Sequence, residues 1–507
     1  MSIVLGLDLG TQSIKAALTD TELGILATAG HEYQVLMPLP GYAEQKPEAW
    51  WKGCLHVLQV LRDAERDAFE QISAIGVTGQ MHGLVALKED LKPAYPAIIW
   101  LDQRSGAQID QIYALCGYGT LAEHLQNLIS PGFALPSLLW LREEQPDVYR
   151  TVRHIICPKD YIRLRLTGEL GCEPTDASGT CMYDIAEGKW YASMLDKLGL
   201  DASLLPPCSD SMSFAGTVTE EAHRETGLSA GIPVIYGCSD ESALLLGNGL
   251  CQPGTIVANI GTGATVSALS LTDRYDPKLR THTFCNVSDS YAVFGAILGG
   301  GINMRWLRDS ILSGYTYEEL SLLAESVPPG AEGVLFLPYT GGERTPHMDP
   351  SATGMFFGLR LGHDRNHLVR AVMEGICFAM RDCLAIVEGL GIPGNSVTAS
   401  GGGARSRVWM QMMADILQRE VRVTAVPEQA SLGACILAGT ASGAFASVED
   451  GCDRLVTYAD RTYSPKPEAA ERCSELYSVY QELYRVNAPI MHRALEIVLK
   501  SDAADDA

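Results

Sequence analysis

Two stretches of this chain repeat one pattern half a chain length apart, and the repeat limits the architecture more than any other feature. Gly6-Leu-Asp-Leu-Gly-Thr-Gln-Ser-Ile-Lys-Ala-Ala-Leu18 and Ala258-Asn-Ile-Gly-Thr-Gly-Ala-Thr-Val-Ser-Ala-Leu269 each read as an apolar strand, a Gly-Thr turn and a second strand. Each tip offers backbone N–H groups and a hydroxyl, donors suited to phosphate. Two facing copies would grip a polyphosphate from both sides, where water is partly excluded. The expectation is a duplicated α/β chain with a nucleotide in the cleft between its halves.

Composition agrees with duplication. At 507 residues the chain exceeds what one core serves, so two domains are expected, 1–247 and 248–500, with 501–507 an acidic, alanine-rich, disordered tail. No apolar run approaches the ~18 residues that cross a membrane. The start lacks a basic region and meets Asp8 early, unlike a signal peptide. A net charge of −23 argues against nucleic acid or an anionic membrane as partner, so an anionic nucleotide needs a local site. Fourteen cysteines show no Cys-x-x-Cys pair and no close histidine cluster, so zinc and disulfide frameworks are poorly supported. Reduced thiols in a cytoplasm fit best.

Pro47 and Glu48 open a helical segment through Trp50, Leu55, Leu58 and Leu61. Residues 72–78 read as a buried strand running into Gly79-Gln80-Met81-His82-Gly83, a polar loop at a strand end, where α/β proteins place ligand contacts. Residues 97–100 read as a strand, 175–180 as a turn-rich run, and 233–240 as the strand closing the first half. A helix is expected over 303–312 and another after Gly401-Gly402-Gly403; the helical pattern of 467–500 is one that Pro489 must kink or split.

Asp8, just before Gly10-Thr11, suits a carboxylate that holds Mg²⁺, or one that only bonds its own turn. Copy two has Asn259 there, so only copy one carries a charge. Asp240 stands where a hydroxyl could be deprotonated, or it caps the helix beginning at Glu241; the two adjacent acids could share a metal or raise each other's pKa. Gln80, Met81 and His82 suit a polyhydroxylated ligand, with a satisfied structural histidine as the plain alternative. Glu343 and Arg344 either bind sugar hydroxyls or pair across their loop. Gly402 and Gly403 at a helix start let a base or phosphate approach backbone. No G-x-x-x-x-G-K-[ST] occurs and no glycine run completes G-x-G-x-x-G, so P-loop and Rossmann readings fail.

Over nearly its whole length the chain resembles the FGGY carbohydrate kinases. Gly354-Met-Phe-Phe-Gly-Leu359, followed after seven residues by His367-Leu-Val-Arg-Ala-Val-Met-Glu374, is similar to the family's C-terminal signature. The N-terminal signature around Gly132-Phe-Ala-Leu-Pro-Ser-Leu-Leu-Trp140 departs at Ser137, where lysine is usual. The resemblance implies two actin-like (ribonuclease H-like) ATPase domains with an interdomain cleft, and phosphorylation of a sugar by ATP. Within the family, Gly79-Gln-Met-His-Gly83, Pro158-Lys-Asp-Tyr161, Asp176-Ala-Ser-Gly-Thr180 and Gly342-Glu-Arg-Thr-Pro-His347 look like those of xylulokinases.

That likeness implies a ketopentose, D-xylulose, held by Met81 and His82, with Asp240 as base. It assigns Asp8 to Mg²⁺ with Asp240, Gly10, Thr11, Gln12, Lys15, Gly261 and Thr262 to phosphates, and Gly301, Arg305, Gly402 and Gly403 to the nucleotide. Glu241 departs from the Asn or Gln usual after the base. A carboxylate accepts hydrogen bonds but cannot donate, so gluconate, ribulose, glycerol or a related ketose or polyol stays open. A non-kinase actin-like ATPase module is the rival of another class, and a homodimer is left open.

Overall fold

The computed structural model describes the backbone of residues 2–505 and the side chains as far as Val498. Each half is built around its hairpin. Ile3–Leu9 pairs antiparallel with Ser13–Asp20 and parallel with Ile72–Gly79. Gly254–Ile260 likewise pairs antiparallel with Ala264–Ser270 and parallel with Gly394–Ser400. Each hairpin lies within a seven-stranded mixed sheet. Asp8 stands opposite Lys15 and Thr78, and Asn259 opposite Thr265 and Ser400, so the two positions are structural equivalents. The tips differ. Leu9 pairs with Ile14 but Ile260 with Ala264, which gives the first tip one more residue than the second.

Period-two alternation sets what covers the first sheet. Ile3, Leu5, Leu7 and Leu9 face the core of the first half, with Trp50, Leu58 and Leu61 of the helix Pro47–Ala64. Val4 faces the other way, in a cluster with Leu432, Cys435 and Ile436 of the helix Gln429–Ala441. That helix belongs to the second half of the sequence yet packs on the first half's sheet. Its approach is set by glycines: a Cβ on Gly6 would lie 2.1 Å from the Ser431 carbonyl oxygen, and one on Gly76 2.1 Å from that of Ala434. Gly433 on the helix meets the Ala243 carbonyl as closely.

Several elements differ from expectation. The strand expected at 97–100 is Ala97–Ile98 alone, because the chain turns next, the Asp102 N–H donating to the Ile99 carbonyl at 2.9 Å. The run at 175–180 is mostly a short helix, Pro174–Gly179, since Glu173 caps it through the Thr175 and Asp176 N–H groups. The helix at 303 starts earlier, as Gly301–Trp306, then widens to a π turn over Leu307–Ile311. Pro467–Asp505 is one helix through Pro489, whose neighbours Asn487 and Met491 still pack or bond inward; its backbone continues into 501–505, and residues 506–507 lie outside the described residues. Among the described residues no helix is long and apolar enough to cross a membrane.

Candidate active site

The strand expected over 233–240 is interrupted. Pro233–Ile235 ends at Tyr236-Gly237, with Gly237 at φ 80° against the Val77 carbonyl, and pairing resumes only at Cys238–Ser239. The break starts the helix Asp240–Gly247 immediately after the sheet. Ser239 is its cap, accepting the Ser242 N–H at 3.3 Å, so Asp240 is the first helical residue and not the cap. Among the described residues its Oδ1 accepts only the next N–H, of Glu241, at 2.9 Å. Burial first, then the charges of Asp8, Asp176 and Glu241, hold the Asp240 carboxyl well above the usual carboxylate range. Asp8 Oδ1 is buried without a hydrogen-bond partner among the described residues, and burial raises its pKa to about 7 against the pull of Lys15. Two buried carboxyls in electrostatic contact, one with an orphaned oxygen, fit a divalent cation.

Below Asp240 lies a charge cluster that sequence reading passed over. Lys159, Asp160, Arg163, Glu173 and Asp176 are all fully buried. Lys159 Nζ stands 3.0 Å from Asp160, 3.2 Å from Glu173 and 3.2 Å from Asp176, and Arg163 lies 3.3 Å from Asp160. Thr175 donates to Glu173 at 2.9 Å and accepts the Ser239 N–H at 2.7 Å, which couples the cluster to the residue before Asp240. Burial raises the Asp176 carboxyl to about 8 while Lys159 opposes it. Lys159 and Asp176 lay within the quoted motifs, but nothing in their spacing shows that a helix start and a short capped helix converge.

His82 takes a left-handed backbone, φ 74°, a strained state for a residue with a side chain. Its Nδ1 donates to the Gly179 carbonyl at 2.7 Å, leaving Nε2 as an acceptor, and burial lowers its pKa to about 4 so that it is neutral. The ring stacks on Phe133 of its own half at 3.9 Å and faces Phe284 of the other at 5.4 Å. Met81 is buried with Phe284 and Phe294. Gln80 donates to Gln45 at 2.8 Å, and Gln45 donates to the Thr11 carbonyl at 2.7 Å, so the loop is tied to the first hairpin tip. Arg344 is solvent-accessible but lies close enough to His82 and His282 to lower both pKa values.

Six of the expected site residues are engaged elsewhere. Glu241 accepts the Ser267 hydroxyl at 2.6 Å, across the halves. Lys15 pairs with Glu428 at 2.8 Å, also across the halves. Glu343 is 2% exposed, and its Oε1 accepts the Leu298 and Arg344 N–H groups at 2.8 and 2.7 Å; it holds its loop rather than pairing with the Arg344 guanidinium. Thr11 Oγ1 accepts the Trp100 indole N–H at 2.9 Å, while Gln12 is exposed and its carbonyl takes the Tyr33 N–H. Gly10 gives its carbonyl to the Tyr33 hydroxyl.

Gly261, Thr262, Gly301, Arg305, Gly402 and Gly403 line one cavity of about 1500 Å³ in the second half. Gly301 donates to the Gly261 carbonyl at 2.9 Å, and a Cβ on Gly301 would approach that oxygen to 2.4 Å, so the second tip is bound to the helix start. Arg305, Arg370, Arg405, Arg407, Arg461 and Lys466 line the cavity against Glu318, Glu325 and Asp415. In a chain of net charge −23 this is a local excess of cations, the condition an anionic nucleotide needs.

Residues 3–247 match the N-terminal domain, and 256–442 the C-terminal domain, of the FGGY family of carbohydrate kinases. The chain belongs to the FGGY family. The xylulose kinase of Lactococcus lactis subsp. lactis is 35% identical over 98% of this chain and 99% of that enzyme. The gluconokinase of Bacillus subtilis is 29% identical over 96% of each. The crystal structure of xylulose kinase from Rhodospirillum rubrum has a TM-score of 0.91 at 31% identity, covering 97% of this chain and 100% of that one. This FGGY protein is therefore a sugar kinase on two actin-like ATPase halves, with ATP as phosphate donor and a small sugar as acceptor.

For an FGGY kinase the arrangement divides the chemistry by half. The Asp8, Asp240 and His82 side chains come from the first half, and the glycine-lined, cationic cavity from the second. Phe284, from the second half, lies 5.4 Å from His82 and packs with Met81, so residues of both halves enclose the Met81-His82 loop.

Proposed function

We propose that this FGGY kinase transfers the γ-phosphoryl group of ATP to the terminal hydroxyl of D-xylulose, giving the 5-phosphate. The carrying observation is the full-length 35% identity to a xylulose kinase in a chain where Ser239, just before Asp240, pairs with Gly79, at the start of the Met81-His82 loop. Asp240 accepts the hydroxyl proton as the oxygen attacks phosphorus and the β–γ bond breaks, with ADP leaving. His82 Nε2 accepts from a sugar hydroxyl, and Arg344 faces the charge that builds on the transferred group. The tips at Gly10-Thr11 and Gly261-Thr262 hold phosphates through their N–H groups. Asp8 and Asp240 would hold Mg²⁺, which when bound offsets phosphate charge. Residues 1–247 carry the sugar floor and base, and 248–500 the nucleotide cavity.

Asp240→Asn keeps shape and removes the base. The expected result is a kcat lower by about 10²–10⁴-fold with sugar binding retained, measured by coupled ADP release and by calorimetry. Turnover near the parent's would remove Asp240 from the role. A panel of D-xylulose, ribulose, glycerol and gluconate settles the acceptor, and a preference for gluconate would overturn the ketopentose.

A further inference from the structure

Away from Asp240, three side chains able to bind a metal converge in the second half. Glu332 lies in a turn where Gly330, Ala331, Glu332 and Gly333 all take positive φ, at 86°, 46°, 52° and 93°. His363 and His367 stand four apart, on either side of Asp364, which caps the helix Arg365–Gly389. Their ring centroids are 4.8 Å apart, and one ligand atom from each of Glu332, His363 and His367 lies within 4.8 Å of the other two.

The three side chains leave room for a cation between them. His367 Nδ1 lies 2.8 Å from Asp364 Oδ1 and 3.2 Å from the Asp364 N–H nitrogen, and Nε2 is 3.7 Å from Glu332 Oε2. In the tautomer whose Nδ1 hydrogen goes to Asp364 Oδ1, Nε2 turns a lone pair toward Glu332, and a cation placed there satisfies both. We propose that Glu332, His363 and His367 form a zinc site whose fourth ligand is water. Two imidazoles and one carboxylate, with a carboxylate behind one imidazole, is a donor set that Zn²⁺ takes.

The distances allow it. Ligand atoms around a tetrahedral zinc stand about 3.4 Å apart at bonds of about 2.1 Å, so the 3.7 Å gap closes by a few tenths. His363 now accepts the Arg360 N–H at Nδ1, 3.0 Å away. Ligation through Nε2 moves its ring proton to Nδ1 and gives that bond up to water, which reaches this exposed turn. The ion would join the 330–333 turn to the helix whose Arg370 and Met373 line the nucleotide cavity. Cys157, Asp160 and Cys172 also lie close together, but Asp160 is already bound to Lys159 and Arg163. No close histidine cluster was expected, because histidines four apart share a face only once the helix start at Asp364 has formed.

The test is cobalt(II) titration of the full chain after chelator treatment, followed by zinc displacement. Expected are one cobalt per chain with the visible bands of a four-coordinate ion, distinct from any six-coordinate ion held by Asp8 and Asp240, and loss of affinity for the four-coordinate ion by more than tenfold in both His367→Ala and Glu332→Gln. Glu332 is exposed and His367 half-buried, and circular dichroism checks that each variant is folded. Asp8→Asn, which removes the other cation candidate, should leave the four-coordinate bands unchanged. The proposal falls if no cobalt binds, if His367→Ala binds as the parent does, if Asp8→Asn abolishes binding, or if a thiolate-to-cobalt charge-transfer band appears.

Discussion

At the residue scale the site is governed by carboxyl groups buried without enough partners. Glu343 is the cleanest case outside the reacting atoms. Burial raises its pKa from 4.5 to about 7, while the Leu298 and Arg344 N–H groups oppose the rise. The folded state therefore holds a proton that the unfolded chain has lost, so its contribution to stability is full below pH 4.5 and is lost as pH rises through about 7. Glu343→Gln keeps an acceptor for both N–H groups and carries no charge. It should match the parent near pH 4 and exceed it near pH 8 by up to about 3 kcal/mol, read from urea unfolding at the two pH values. An equal offset at both would rule out the buried charge as its cause.

At the element scale, both hairpins and the buried strand at 72–79 were legible, because glycine, threonine and aliphatic runs act locally. The placement of Asp240 at the end of the strand was legible, but its position in the helix was not, since Ser239 takes the cap and is itself held by Thr175. Likewise the five-charge cluster below it needs tertiary contact to exist. The crossing helix Gln429–Ala441 gives a sharper test of packing. Gly6→Ala forces a Cβ to 2.1 Å from the Ser431 carbonyl and should cost about 3 kcal/mol or more, measured by thermal unfolding. Gly106→Ala, at a helix start with nothing within 4 Å, should be neutral or slightly stabilising. Equal effects would mean that the crossing is not glycine-limited.

At the scale of the whole molecule the halves are held together by specific polar links: Glu241 to Ser267, Lys15 to Glu428, and Asn127 to the strand His282–Asn286. Asn127 accepts the Thr283 N–H at 3.0 Å and donates to the Thr283 carbonyl, beside Phe284, which faces His82. Asn127→Ala should loosen that strand. The KM for sugar should rise several-fold, with the KM for ATP nearly unchanged, in steady-state assays varying each substrate. A parallel rise in both would assign Asn127 to general stability instead. None of these links was readable from sequence, because each joins residues far apart along the chain.

The helix that covers Val4, Gly6 and Gly76 has a consequence in the order of synthesis. Ribosomes deliver the N-terminal sheet hundreds of residues before Gln429–Ala441 leaves the exit tunnel. Until then the face bearing Val4, Ala17 and Ala74 lacks Leu432, Cys435 and Ile436 and has Ala243 and Leu246 of its own half beside it. The first half is thus made early but closed late, and in the interval its apolar sheet face is open to misassembly.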